Sequence, residues 1–316
     1  MGRRSRRGGA AIDVAQRFEL EDLMNRRVMY FASLAVTVFL CAAAQCESET
    51  ETYIENGDLR LGVDLESGGS IVHFSRVSQP RNLLNRFDRG RFIQQSYYGD
   101  SDGSQWWGKE WRWNPVQGGD CKGHPARLIE CGTTPTTIHT MSTPKHWATG
   151  EDVTSATMEE WITLEDDVAH IRYKFTYDGD RDHEKRHQEL PAVFVDYDLP
   201  NLVYYQGEKP WTNDALTRVV PGWPNEGRTR DECWAAYVDD KDWGIGVYTP
   251  GTKEMTCYRF KGDLGPKGSG CSYFAPVRTL AITKGFTFDY DVYLTIGAVN
   301  DIRSRFNKIY KSSKLK

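Results

Sequence analysis

Apolar and polar residues alternate along much of this chain after residue 52. Within 58–65, Leu59, Leu61, Val63 and Leu65 fall on one side and Asp58, Arg60 and Asp64 on the other. That two-residue period marks a half-buried strand. Glu66, Ser67, Gly68 and Gly69 read as a hairpin turn, answered by a return strand over Ser70–Arg76. The same period recurs at Ala169, Ile171, Tyr173, Phe175 and Tyr177. The longest run is Phe286, Phe288, Tyr290, Val292, Leu294 and Ile296. Shorter strands are predicted over 158–164, 192–196, 234–238, 245–249, 255–260 and 279–283. The one predicted helix lies near the end, with Asp301 as its cap and Ile302, Phe306, Ile309 and Tyr310 at helical spacing. Two charged or Gly/Pro-rich stretches, 178–187 and 221–231, read as surface loops. Many short antiparallel strands joined by long loops predict an all-β fold: one large antiparallel β-sandwich over residues 47–316, closed by a short C-terminal helix.

One segment departs from this pattern. Residues 91–120, RFIQQSYYGDSDGSQWWGKEWRWNPVQGGD, hold four of the ten tryptophans (Trp106, Trp107, Trp111, Trp113) and the adjacent pair Tyr97 and Tyr98. Gln94, Gln95, Asn114, Gln117, Glu110 and Asp120 stand among them. Rings beside amides and carboxylates suit a sugar, whose C–H faces stack on indole while its hydroxyls bond to the polar groups.

Composition narrows the classes. The 316 residues carry a formal net charge of −4, and without a basic excess in the body a nucleic-acid partner is not expected. The charge asymmetry is local to Arg3, Arg4, Arg6 and Arg7. Residues 28–44, VMYFASLAVTVFLCAAA, follow Arg26 and Arg27 and precede polar CESETET. This is the pattern of a secretory signal ending near Ala44 to Cys46, or of an uncleaved N-terminal membrane anchor. Met24 as the true start, or residues 1–23 as a cytoplasmic tail, would explain the long basic lead. The expected location is therefore secreted, periplasmic or at the cell surface. Export permits disulfides: Cys121–Cys131 and Cys257–Cys271 flank Gly/Pro-containing loops, which would leave Cys233 over, buried beside Trp234; the alternative is that all five are reduced. No Cys/His spacing suggests zinc.

The opening ENGDLRLGVDLESGGSIVHFSR, followed by NLLN and an aromatic-rich YYG segment, resembles the start of galactose-mutarotase-like proteins over about residues 54–99. The resemblance implies a large antiparallel supersandwich, shared by aldose epimerases and by domains of many glycoside hydrolases and polysaccharide lyases. Aldose epimerases use a glutamate and a histidine, the latter in a short motif followed by aromatic and Asn residues. No such motif surrounds His73, His124, His139, His146, His170, His183 or His187, so epimerase chemistry is not carried over and a sugar-related role follows by analogy.

Each candidate side chain admits a functional role and a structural one. Asp120, after two glycines, is a general acid, a base or a hydroxyl acceptor; otherwise it caps its own turn. Glu189 in HQELPAV stands at a strand entrance beside Leu190, where a raised pKa would make it a proton donor; otherwise it is a solvated loop residue. His187 would point to the same side if the chain is extended and pair with it; otherwise it is incidental. Asp196 and Asp198 share a strand face as a calcium site, part of a catalytic pair, or a polar outer surface. Trp211, Trp223, Tyr248 and Tyr273, each beside Gly or Pro, would wall a cleft with Trp111 and Trp113, or plug the sandwich ends. Arg91 and Arg278 would hold a uronate carboxylate, or form structural ion pairs.

The function these features predict is a carbohydrate-active enzyme, a glycoside hydrolase or polysaccharide lyase acting on a poly- or oligosaccharide. Asp120 and Glu189 would do acid/base work; for a lyase, Tyr98 would serve as base, with Tyr97 and Gln95 nearby. Substrate contacts would come from Arg91, Gln94, Gln95, Tyr97, Trp111, Trp113, Asn114, Gln117, His187, Trp211, Trp223, Tyr248 and Tyr273. The second reading is a non-catalytic carbohydrate-binding protein of the cell surface; a third is a purely structural sandwich. No cofactor is expected beyond an optional structural calcium.

Overall fold

Two antiparallel sheets meet across one apolar core. The computed structural model describes residues 50–265 and 268–314; the segment read as a signal or anchor lies outside them. The first sheet has ten strands. Eight follow in the order Glu51–Glu55, Leu59–Asp64, Ser70–Arg76, Ile93–Ser96, His183–Asp196, Cys271–Ile282, Glu254–Phe260 and Glu226–Thr229, with Pro115–Val116 and Lys145–His146 appended. The second has nine: Thr217–Val219, Asn201–Tyr204, Trp234–Val238, Trp243–Tyr248, Phe286–Ala298, Val168–Tyr177, Ala156–Glu165, Thr137–Thr143 and Arg127–Thr133. Ser101–Trp106 and Lys109–Arg112 form a separate hairpin.

The two-residue period produces this layering directly. Ala169, Ile171, Tyr173 and Phe175 turn inward opposite Leu294, Val292, Tyr290 and Phe288. From the other sheet Leu59, Leu61, Phe74, Val193 and Phe274 meet them. At the predicted hairpin turn Asp64 accepts from the Glu66 N–H and the Ser67 hydroxyl (2.9 and 2.6 Å). Gly68 and Gly69 follow with φ of +58° and +79°, a conformation that disfavours any side chain. A Cβ on Gly68 would also lie 2.2 Å from the Gln117 carbonyl.

The helix runs over Val299–Lys314, so Asp301 lies in its first turn rather than capping it. Val299, Ile302 and Phe306 cover the outer face of the nine-stranded sheet, packing on Trp234, Ala236 and Val238. That cover explains why Trp234–Val238 is buried on both faces. Two predicted loops contain strands. The charged run 183–187 is held extended by pairing with the strand Cys271–Ile282, and Glu226–Thr229 forms an edge strand. Neighbouring strands outweigh local composition at both places. Neither predicted disulfide forms. Cys257 faces the core between the sheets while Cys271 faces the opposite side of its own sheet, and Cys121 and Cys131 are likewise not bridged. Cys233 is half-buried.

One acid lies inside the core. Glu160 is fully buried; its Oε1 accepts from the Thr140 hydroxyl at 3.4 Å, while its Oε2 has no hydrogen-bond partner among the described residues. Burial outweighs the nearby polar groups of Gln117, Thr140 and Tyr173, which favour the charged form, and lifts its pKa from 4.5 to about 8. A raised folded pKa favours folding fully below pH 4.5 and loses that benefit as pH rises through about 8. Glu160→Gln, which mimics the neutral acid, is therefore expected to match the parent in urea denaturation near pH 5. Near pH 9 it should be more stable by roughly 3–5 kcal/mol.

Candidate functional site

Alternation also fixes what the ten-stranded sheet presents outward. In Glu254–Phe260, Met255 and Cys257 turn into the core, which leaves Glu254, Thr256 and Tyr258 on the outer face. In Cys271–Ile282, Phe274 points in, while Tyr273 and Ala275 point out. In His183–Asp196, Leu190 points in and Glu189 out. Of this outer face, Glu189, Glu254, Thr256 and Val277 line an open groove of about 640 Å³. The hairpin supplies one side through Trp111 and Arg112, with Tyr98 beside it; Asn225 and the edge strand supply the other.

Glu189 is the chemically distinct group in this groove. The Tyr273 hydroxyl donates to its Oε1, and Tyr98 and Ser96 bond to it as well. Burial raises its pKa above the ordinary carboxylate value, and the three hydroxyl bonds pull the other way without cancelling the rise. Burial also pushes both phenols well above 10, with the Glu189 charge adding to the effect. Tyr98 and Tyr273 are therefore neutral donors, and Tyr98 is a poor base. The site can hold a proton on Glu189 and release it into the groove. His187 lines the same groove, but its Nδ1 meets the Thr279 hydroxyl at 3.0 Å and does not pair with Glu189.

Several predicted site residues lie elsewhere. Asp120 is completely buried and caps its own turn: it accepts from the Lys122 and His124 N–H groups (2.9 and 2.8 Å), and its Oδ2 meets His124 Nδ1 at 2.7 Å. Burial alone would raise its pKa, but these bonds together hold it below the usual range. The amides of the aromatic segment are interior, because the strand Ile93–Ser96 is buried on both faces. Gln94 accepts from the Gly118 N–H at 2.7 Å, Gln95 donates to the Glu159 carbonyl at 3.1 Å, and Asn114 donates to the Tyr97 carbonyl at 2.8 Å. Gln117 accepts from the Gln95 N–H at 3.1 Å. Tyr97 stacks on Phe175 at 3.9 Å in the core.

The remaining rings occupy three separate places. Trp211 and Tyr248 pack with the C-terminal helix, Trp211 stacking on Tyr310 at 5.0 Å. Trp113 stacks on His183 at 4.3 Å, lining a separate, more polar cavity of about 550 Å³ with Asp102 and His146. Trp223 is exposed, edge-on to Tyr258 at 4.8 Å on the outer face of the ten-stranded sheet. Arg91 pairs with Asp88 at 3.4 Å and donates to the Ser269 carbonyl, and Arg278 bonds Thr252 at 2.8 Å and the Pro250 carbonyl at 3.1 Å; both are structural. Arg81 bridges Asp196 and Asp198 at 2.9 and 3.0 Å, so a cation already fills the proposed calcium position. Among the described residues no group of three or more His, Cys, Asp or Glu could hold a metal ion. Glu254, Thr256 and Asn225 line the groove and were not anticipated; the alternation of Glu254, Thr256 and Tyr258 against Met255 and Cys257 hinted at the first two, and nothing hinted at Asn225.

No family model and no curated protein matches this chain. Solved structures do. A protein from Escherichia coli provisionally assigned as an aldose 1-epimerase superposes with a TM-score of 0.51 at 13% identity, over 78% of this chain and 99% of its own. A galactose mutarotase-like protein from Lactobacillus casei does so with a TM-score of 0.51 at 11% identity, over 78% and 99%. With the sheet order and the hairpin turn at Gly68 and Gly69, these likenesses show that the chain has the galactose-mutarotase-like supersandwich fold.

Proposed function

We propose that this protein is a carbohydrate-active enzyme that cleaves a poly- or oligosaccharide in the groove over the ten-stranded sheet, with Glu189 as the proton-transferring group. One observation carries the reading: a carboxyl with a raised pKa, held by two neutral phenols, opens into a groove beside an indole. Trp111 offers a stacking face for a pyranose ring, and Arg112, Asn225 and Thr256 offer bonds to hydroxyls. The fold neighbours described as epimerase and mutarotase-like lend support to a sugar ligand.

The experiment is a polysaccharide panel. Xylan, laminarin, alginate, carrageenan and pectin are incubated with residues 47–316, reading reducing ends and the absorbance of unsaturated uronides. Turnover of at least one polymer, abolished by Glu189→Gln, is expected; inactivity on every polymer contradicts the proposal. Trp111→Ala should raise KM about tenfold, the size of one lost aromatic stack. An unchanged KM would remove Trp111 from the sugar site. The second reading, binding without turnover, draws on one finding: Asp120, the expected second acid, is not in the groove. It predicts that Glu189→Gln retains both affinity and an absence of products.

A further inference from the structure

The groove contains a second acid. Glu189 pairs across its strand with Val277. On the far side of that same strand, Met255 pairs with Pro276, which sets Glu254 opposite Val277. Glu189 and Glu254 thus stand on one face in one row, separated by a single strand. At about 4.8 Å per strand their backbones are roughly 9.6 Å apart, and side chains standing off the same face keep about that separation. Val277 lies opposite both on the intervening strand, and both acids line the groove.

Their environments differ in the way an acid and a base require. Glu189 is bonded by Tyr273, Tyr98 and Ser96 beneath the groove wall. Glu254 is exposed, and among the described residues its carboxylate makes no hydrogen bond or ion pair. It is free to bind a water. Asp120, by contrast, spends both oxygens on its own turn.

Resting on the proposed saccharide-cleaving function, we infer that Glu254 is the catalytic base of an inverting glycoside hydrolysis in which Glu189 is the acid. Protonated Glu189 gives its proton to the glycosidic oxygen, and the C1–O bond breaks with its electron pair going to that oxygen. A water held by Glu254 attacks C1 from the opposite face, forming the new C1–O bond and passing its proton to the Glu254 carboxylate. The sum is glycoside plus water giving two hydroxyl-bearing sugars, with the anomeric configuration reversed. Solvent then carries the proton from Glu254 back to Glu189. A backbone spacing of about 9.6 Å lies at the upper edge of the roughly 6.5–9.5 Å between carboxyls that inversion needs to admit the water, and well beyond the roughly 5–5.5 Å of retention. Tyr98, the base expected for elimination, holds its proton.

The test uses the polymer that the parent protein turns over in the panel. Proton NMR of the first product formed should show the anomer opposite to that of the bond cleaved. Glu254→Gln should lower kcat by roughly 10³-fold while retaining the parent's thermal transition. Glu254→Ala with added azide should accumulate an inverted glycosyl azide, a readout that a merely structural role would not produce. A product of retained configuration, unsaturated uronides in place of hydrolysis products, or full activity in Glu254→Gln would each overturn the inference. If Glu189→Gln is inactive and Glu254→Gln active, this assignment alone falls. If Glu189→Gln is also active, the function itself falls.

Discussion

Replacing Glu189 by Gln is expected to lower turnover by roughly 10²–10⁴-fold, the usual contribution of a positioned proton donor. The amide keeps the shape of the side chain and an oxygen for the Tyr273 hydroxyl, so folding should be unaffected and the loss should fall on kcat. An acid must be protonated to act. Activity should therefore fall as pH rises through the Glu189 pKa, and burial places that limb above the ordinary carboxylate range. Tyr273→Phe gives the sign a second check. It removes a bond that stabilises the carboxylate, so the Glu189 pKa climbs and the alkaline limb of kcat/KM moves to higher pH. A limb that stays in place, or moves down, would assign the titration to another group.

A large loss of stability is expected at Glu232, outside the groove lining. Its buried carboxylate accepts from Arg303 at 2.6 and 3.0 Å, from the Trp234 indole at 2.7 Å and from the Trp211 N–H at 2.5 Å. Arg303 belongs to the C-terminal helix and also donates to the Asp214 carbonyl at 2.7 Å. One acid thus ties the helix, the strand Trp234–Val238 and the loop at Trp211 together. Removing it leaves a guanidinium in a nearly dry site. Glu232→Ala should cost roughly 3–5 kcal/mol, which lowers Tm by roughly 6–20 °C in a domain of this size. Denaturation of Glu232→Leu/Arg303→Met checks the cause. Losing both charges together should cost less than the sum of the two single losses; strict additivity would mean that the pair is not coupled.

Much of the fold was legible because a half-buried strand writes its period into the chain. The runs at Ala169–Tyr177 and Phe286–Ile296 became adjacent central strands, and Gly68 and Gly69 made the turn they advertised. The site was legible only in part. Composition located a sugar-like residue set in 91–120, but could not say which face each residue would take. Ile93–Ser96 is buried on both sides, so its amides serve the backbone of neighbouring turns and strands rather than a ligand. Trp211 and Tyr248 looked like cleft walls because nothing local showed that the helix would cover them. Glu189 was readable from its place beside Leu190. Glu254 was not, since an exposed acid at a strand's start resembles any solvated one until the strand order sets it one strand from Glu189.

A crystal structure of Glu189→Gln soaked with oligosaccharides from the cleaved polymer decides where the sugar binds. A pyranose should stack on Trp111, with the glycosidic oxygen within hydrogen-bond reach of residue 189. Sugar bound instead in the cavity beside Trp113 and His146, or an empty groove under saturating ligand, would contradict it.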